Sequence, residues 1–246
     1  MLLTLASAAA MISCGQKSAK DGDENFRYLI DQFADIKIMR YRIPGWEDLS
    51  LRQKEYIYHL SEAAKYGWDI HWDQNCRYNL DVRNVLQDII EKYNGDRNCG
   101  DYANFLVYAK RVFFSNGIHH HYAEDKFTPE CSEEYFRSLM EAVGHGEECD
   151  TLLPVIYDPS ILAQRRSSDP EGDIVALSAV NFYEGVTREE VEAYYDRIID
   201  KNDPHPISYG LNTKVVKNEE GKVVELPWKV GGIYGPALEK ICEELE

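Results

Sequence analysis

NLDVRNVLQDIIEKYN, residues 79–94, sets Val82, Val85, Leu86, Ile89 and Ile90 on one face of a helix. The three-and-four spacing of these residues buries one stripe and leaves the charged residues outside. Asn79 is a candidate cap for this helix, and Asn94-Gly95-Asp96 ends it. Working outward, Ser50 with Gln53 reads as a capping box opening a helix through Ile57, Leu60, Ala63 and Ala64 to about Tyr66. Before it, Phe26, Leu29, Ile30, Phe33, Ile36 and Met39 predict an amphipathic helix over 26–39, stopped by Ile43-Pro44-Gly45. After it, a helix over 102–114 is broken by Ser115-Asn116-Gly117, and Ser132 opens another through Phe136, Leu139 and Met140 to about Gly144. Residues 145–173, with Pro154, Pro159, Pro170 and Gly172, read as irregular.

The second half adds strands. The apolar run 174–183 suits a strand or a helix, and we read it as a strand before a turn at Glu184-Gly185. Thr187 with Glu190 is a second capping box, opening a helix to about Asp200, and Asp203-Pro204-His205-Pro206 breaks the chain rigidly. Segments 207–217 and 222–230 flank Asn218-Glu219-Glu220-Gly221 as a β-hairpin, in which Pro227 marks the second strand as an edge or a bulge. Gly231-Gly232 is a turn, and Pro236 sits near the start of a last helix carrying Leu238, Ile241, Cys242 and Leu245. The expected class is α+β, mainly helical, with a β-hairpin or partial β-barrel near the C-terminal end. A lone hairpin is marginal in water, and the last helical pattern is still running at Glu246. Both features lead us to expect a longer parent protein.

Acidic residues number 43 against 27 basic ones, a net charge of −16. Such a surface repels phosphates and anionic headgroups, which argues against nucleic acid as a partner and fits a neutral or cationic ligand, or simply solubility. Residues 1–13, MLLTLASAAAMIS, read as the apolar part of a secretory signal. Met11-Ile12-Ser13-Cys14 resembles a bacterial lipobox with Cys14 as the lipidated residue, and the polar stretch 15–25 follows as a flexible tether. The expected organisation is therefore signal and lipobox over 1–14, tether over 15–25 and folded region over 26–246. It implies a lipid-anchored or periplasmic place in a bacterial cell envelope, with membrane attachment only through Cys14. Five further cysteines lack CxxC pairing, and a disulfide such as Cys131 to Cys149 is one arrangement they allow.

Catalytic motifs are missing from the sequence. No two of the seven His residues bracket a Glu as HExxH or HExxGH, and GxSxG, Walker and GxGxxG patterns do not occur. We therefore name no catalytic residue and no metal ligand in this chain. His119-His120-His121 is the most unusual tract. Extended, it would turn His119 and His121 to one face and His120 to the other, where they could hold a metal weakly, hydrogen-bond a peptide or simply form a polar loop.

A collinear set of segments carries a resemblance. It comprises DQFAD (31–35), MRYRIPG (39–45), DLS (48–50), DQN (73–75), FSNGIHHHY (114–122), KF (126–127), SAVNFY (178–183), SYGLNT (208–213) and WKVGGIYG (228–235). In order and spacing these resemble the N-terminal third of bacterial dipeptidyl peptidases III. The resemblance implies a two-lobed zinc exopeptidase that releases dipeptides from peptide N-termini. One lobe would carry the metal, and the other a barrel on which an oligopeptide substrate adds as a strand. The zinc ligands and the catalytic Glu are expected in a downstream half beyond Glu246, leaving this chain inert alone. The segment 116–122 resembles the family's substrate-lining loop, which makes Asn116, Gly117, His121 and Tyr122 the candidate substrate-binding residues. There the Tyr122 ring would pack on a substrate side chain and the His121 imidazole would bond its backbone. The competing expectation is a lipoprotein module that captures peptides without cleaving them.

Overall fold

The computed structural model describes residues 26–210 and 212–246. The signal, lipobox, Cys14 and tether readings lie outside the described residues. The chain divides into two units, Met1–Ile43 and Pro44–Glu246.

In the first unit the expected helix is instead a hairpin of β1 (Leu29–Phe33) and β2 (Ile36–Met39), joined by Ala34 and Asp35. The register pairs Phe33 with Ile36 and Asp31 with Ile38, with an irregularity between Leu29 and Asp31. That bulge adds one residue to the strand and shifts the inside–outside alternation. Together with a two-residue turn, it spaces the apolar positions by threes and fours, which imitates a helix. Arg40 and Arg42 each set a guanidinium 4.5 Å from the Phe26 ring centre.

The second unit opens with a short 3-10 helix, Trp46–Asp48, and then α1 (Leu51–Tyr66). The Ser50–Gln53 capping box forms as read, with Gln53 N–H donating to Ser50 Oγ and Ser50 N–H donating to Gln53 Oε1. Next come α2 (Trp68–Asn75), which the sequence reading did not separate, α3 (Asn79–Lys92), α4 (Gly100–Ser115) and α5 (Glu133–Ala142). Tyr78, not Asn79, holds the N-cap position of α3. The Asn79 side chain works elsewhere: its amide donates to Trp72 O at 3.0 Å and its Oδ1 accepts from Ile118 N–H at 3.1 Å.

The stretch read as irregular contains α6 (Cys149–Tyr157). It was hidden by Pro154, which reads as a helix breaker: Cys149, Leu152, Leu153 and Ile156 form a buried face at three-and-four spacing, and Asp150, Thr151 and Pro154 are exposed on the other side. Lys126 binds the end of this helix, its ammonium donating to Val155 O, Asp158 O and Ile161 O at 2.8, 2.5 and 2.6 Å. A cation there meets the carbonyls that a helix end leaves without partners. The core joins α3, α4, α5 and α6 through Leu86, Ile89, Phe105, Phe136, Leu139, Leu153 and Ile156. Each such side chain contributes about 1.5–3 kcal/mol by leaving water. Cys131 and Cys149 are free thiols rather than a disulfide; Cys131 Sγ lies 3.6 Å from Tyr157 Oη and Cys149 Sγ 3.9 Å from Met140 Sδ.

Residues 174–183, read as a strand, begin instead as the one-turn α7 (Ile174–Leu177), capped by Asp173; the strand β3 is only Tyr183–Glu184. Then follow α8 (Arg188–Ile198) behind its Thr187–Glu190 capping box, β4 (Thr213–Lys217), β5 (Val223–Pro227) and α9 (Gly235–Leu245). The hairpin β4–β5 forms in the expected place, with Asn218 Oδ1 accepting from Glu220 N–H and Lys222 N–H in its loop. The sheet order is β3-β4-β5, with β3 parallel to β4, so the strand bearing Pro227 is an edge. Among the described residues this sheet is open and three-stranded rather than a closed barrel. The class is α+β. Asp73 on α2 ties the helical body to the later segments, accepting from Asn181 Nδ2 at 3.0 Å and from the Tyr234 hydroxyl. Helix α9 packs along α1, where His59 Nδ1 lies 2.7 Å from Glu244 Oε2. Among the described residues no helix is long and apolar enough to cross a membrane.

Candidate functional site

Helix α4 ends in Asn116, whose left-handed backbone (φ 53°, ψ 45°) caps the helix. From there the chain folds back on itself over residues 118–127: Phe127 N–H donates to Ile118 O and His120 N–H donates to Asp125 O. Gly117 is required at the turn. Its φ is +148°, and a Cβ there would stand 2.2 Å from Asn79 Nδ2.

The three imidazoles part company, against the expected pairing of His119 with His121. His119 is buried, and its Nε2 lies 2.7 Å from Leu162 O. A carbonyl only accepts, so Nε2 carries the proton. Burial, which disfavours the charged ring, pushes its pKa down to about 4. His120 Nδ1 accepts from Tyr122 N–H and Ala123 N–H at 3.1 and 3.0 Å, pinning the turn. His121 stacks on His120 with ring centres 4.6 Å apart and places Nδ1 3.2 Å from Ser115 Oγ. Tyr122 leans on His121, ring centres 4.4 Å apart, and is 83% exposed.

One hydrogen-bond network holds the outer side of this loop. Trp68 Nε1–H donates to Asn116 Oδ1 at 2.7 Å, and Asn75 Nδ2 donates to Asn116 O at 3.1 Å. Buried Arg165 donates to Asn75 Oδ1 at 3.5 Å, to His121 O at 3.1 Å and to both oxygens of Glu124 at 2.8 Å each. Arg166 adds a contact of 2.5 Å to Glu124. The bonds from Arg165, and then Arg166, hold the Glu124 carboxyl down at about 2, outweighing its burial. Beside Trp68 a cleft of about 470 Å³ opens between α1 and α2, lined by Ser61, Ala64, Lys65, Gly67, Trp68 and His71.

Of the four candidates, Asn116 and His121 therefore join one network, and Tyr122 presents its ring beside His121. Gly117 turns the other way, onto Asn79. Trp68, Asn75, Glu124 and Arg165 were missed. Their partners lie up to 90 residues away in sequence, and no local spacing announces such a bond. The only trace was Arg165-Arg166, a basic doublet in an acidic chain. Among the described residues no three His, Cys, Asp or Glu side chains gather as metal ligands. Comparison with known proteins finds no family model and no curated protein that matches the chain.

Proposed function

We propose that this chain is the substrate-binding part of a zinc-dependent dipeptidyl peptidase of the dipeptidyl peptidase III type, releasing dipeptides from the N-termini of oligopeptides. On this reading the zinc, its ligands and the catalytic Glu belong to a downstream half, and the residues here only bind and orient the peptide. Cys14 carries a lipid that holds the protein at a bacterial cell envelope.

The observation that supports the reading best is Tyr122. A largely exposed aromatic ring costs order to hold in place, yet the backbone beneath it is fixed by His120 Nδ1 on one side and by Arg165 on the other. An open ring on a fixed backbone, next to a partly exposed imidazole, is suited to packing on a peptide side chain while a neighbour bonds its backbone. Tyr122→Ala, made in a protein extended past Glu246, should raise KM for an arginyl-arginyl chromogenic substrate about tenfold and change kcat less. An unchanged KM would sink the assignment. Dipeptide release that appears only on extension supports the peptidase reading, whereas peptide binding without release in every extension would leave a capture module.

A further inference from the structure

We propose that the cleft beside Trp68 is a side-chain subsite that takes an aromatic residue of a bound peptide; this rests on the peptide-binding reading above. Trp68 opens α2 and is 55% exposed. Its polar edge is already satisfied by Asn116 Oδ1 at 2.7 Å, so the indole cannot turn inward to find a partner without breaking that bond. Asn116 is itself held by its cap geometry and by Asn75. The ring is thus a fixed flat wall, which lowers the entropy lost when another ring stacks on it.

The remaining lining selects against charge. Lys65 Nζ is engaged by Glu62 Oε1 at 2.5 Å, and His71 is held toward its neutral form by burial and by the charge of Arg165. A charged side chain entering here would lose water without gaining an unengaged counter-ion. Ala64 and Gly67 add small surfaces to the lining, leaving about 470 Å³, room for a planar ring and its attached backbone. The same Asn116 that anchors Trp68 begins the loop that carries Tyr122, so one peptide is offered two aromatic walls on a common support.

The test is isothermal titration of the 246-residue chain with the pentapeptides Arg-Val-Phe-Ala-Gly and Arg-Val-Ala-Ala-Gly. The wild type should bind the Phe peptide about tenfold more tightly, as expected for one well-stacked ring. Trp68→Ala should abolish that preference and leave the affinity for the Ala peptide in place. Trp68→Phe, which keeps a ring and guards against misfolding, should retain most of it. Tyr122→Ala should weaken both peptides and preserve the preference. A preference that survives Trp68→Ala, or none in the wild type, overturns the subsite while peptide binding stands. A wild type that binds neither peptide overturns both readings.

Discussion

At the residue scale, the same amino acid does unequal work in different places. Gly117 and Gly221 both have positive φ, at +148° and +74°. Gly221 faces open space, whereas a Cβ on Gly117 would meet the buried amide of Asn79. Asn79 cannot yield, because it satisfies Trp72 O and Ile118 N–H in the interior. Gly117→Ala should therefore cost on the order of 3 kcal/mol. Gly221→Ala should cost only about 1 kcal/mol for its left-handed backbone. Urea unfolding midpoints of the two variants check this, and equal losses would contradict it. That Gly117 matters was legible in the sequence as a turn after a helix; that its reason is Asn79, 38 positions earlier, was not.

At the element scale, a single side chain can join helices that sequence separates. His145 lies 2.9 Å from Asp88 Oδ2 on α3 and 3.1 Å from Glu148 Oε1 at the N-cap of α6. Burial opposes the charged ring, but the bonds to the two carboxylates outweigh it and raise its pKa above the ordinary 6.5. A raised histidine stabilises the fold fully below its unfolded value, and that stability is lost as pH rises through the folded value. The unfolding free energy should thus fall as pH climbs above about 6.5, toward a limit set by the neutral ring. His145→Gln should remove this part of the slope. Chemical denaturation across that range tests it, and identical slopes in both proteins would refute it. Capping boxes at α1 and α8 were readable because all their partners sit within four positions. The helix α6 was not, since Pro154 within it read as a breaker.

At the scale of the whole molecule, charge and topology act together. A net charge of −16 surrounds a candidate site whose own charges are largely paired off. Long-range attraction should then speed the arrival of cationic peptides without fixing their pose. The association rate of Arg-Val-Phe-Ala-Gly should fall several-fold between about 20 and 300 mM salt. The dissociation rate should change little, which stopped-flow measurements can separate. A rate indifferent to salt would remove electrostatic steering. The sequence by itself determined the class, the helices over 51–66, 79–92, 100–115, 133–142, 188–198 and 235–245 to within a few residues, and the hairpin with its edge proline. All of these follow from periodicity, caps and turns, which are interactions between near neighbours. Only the tertiary structure decided that 26–39 is a hairpin, that His119 is buried while His120 and His121 stack, and that Trp68, Asn75, Asn116, Arg165 and Glu124 form one network. The hairpin is local, but its bulge and two-residue turn gave it a helical spacing. The burial of His119 and the network rest on bonds across about 40 to 90 residues, and no short window of sequence contains both partners of such a bond.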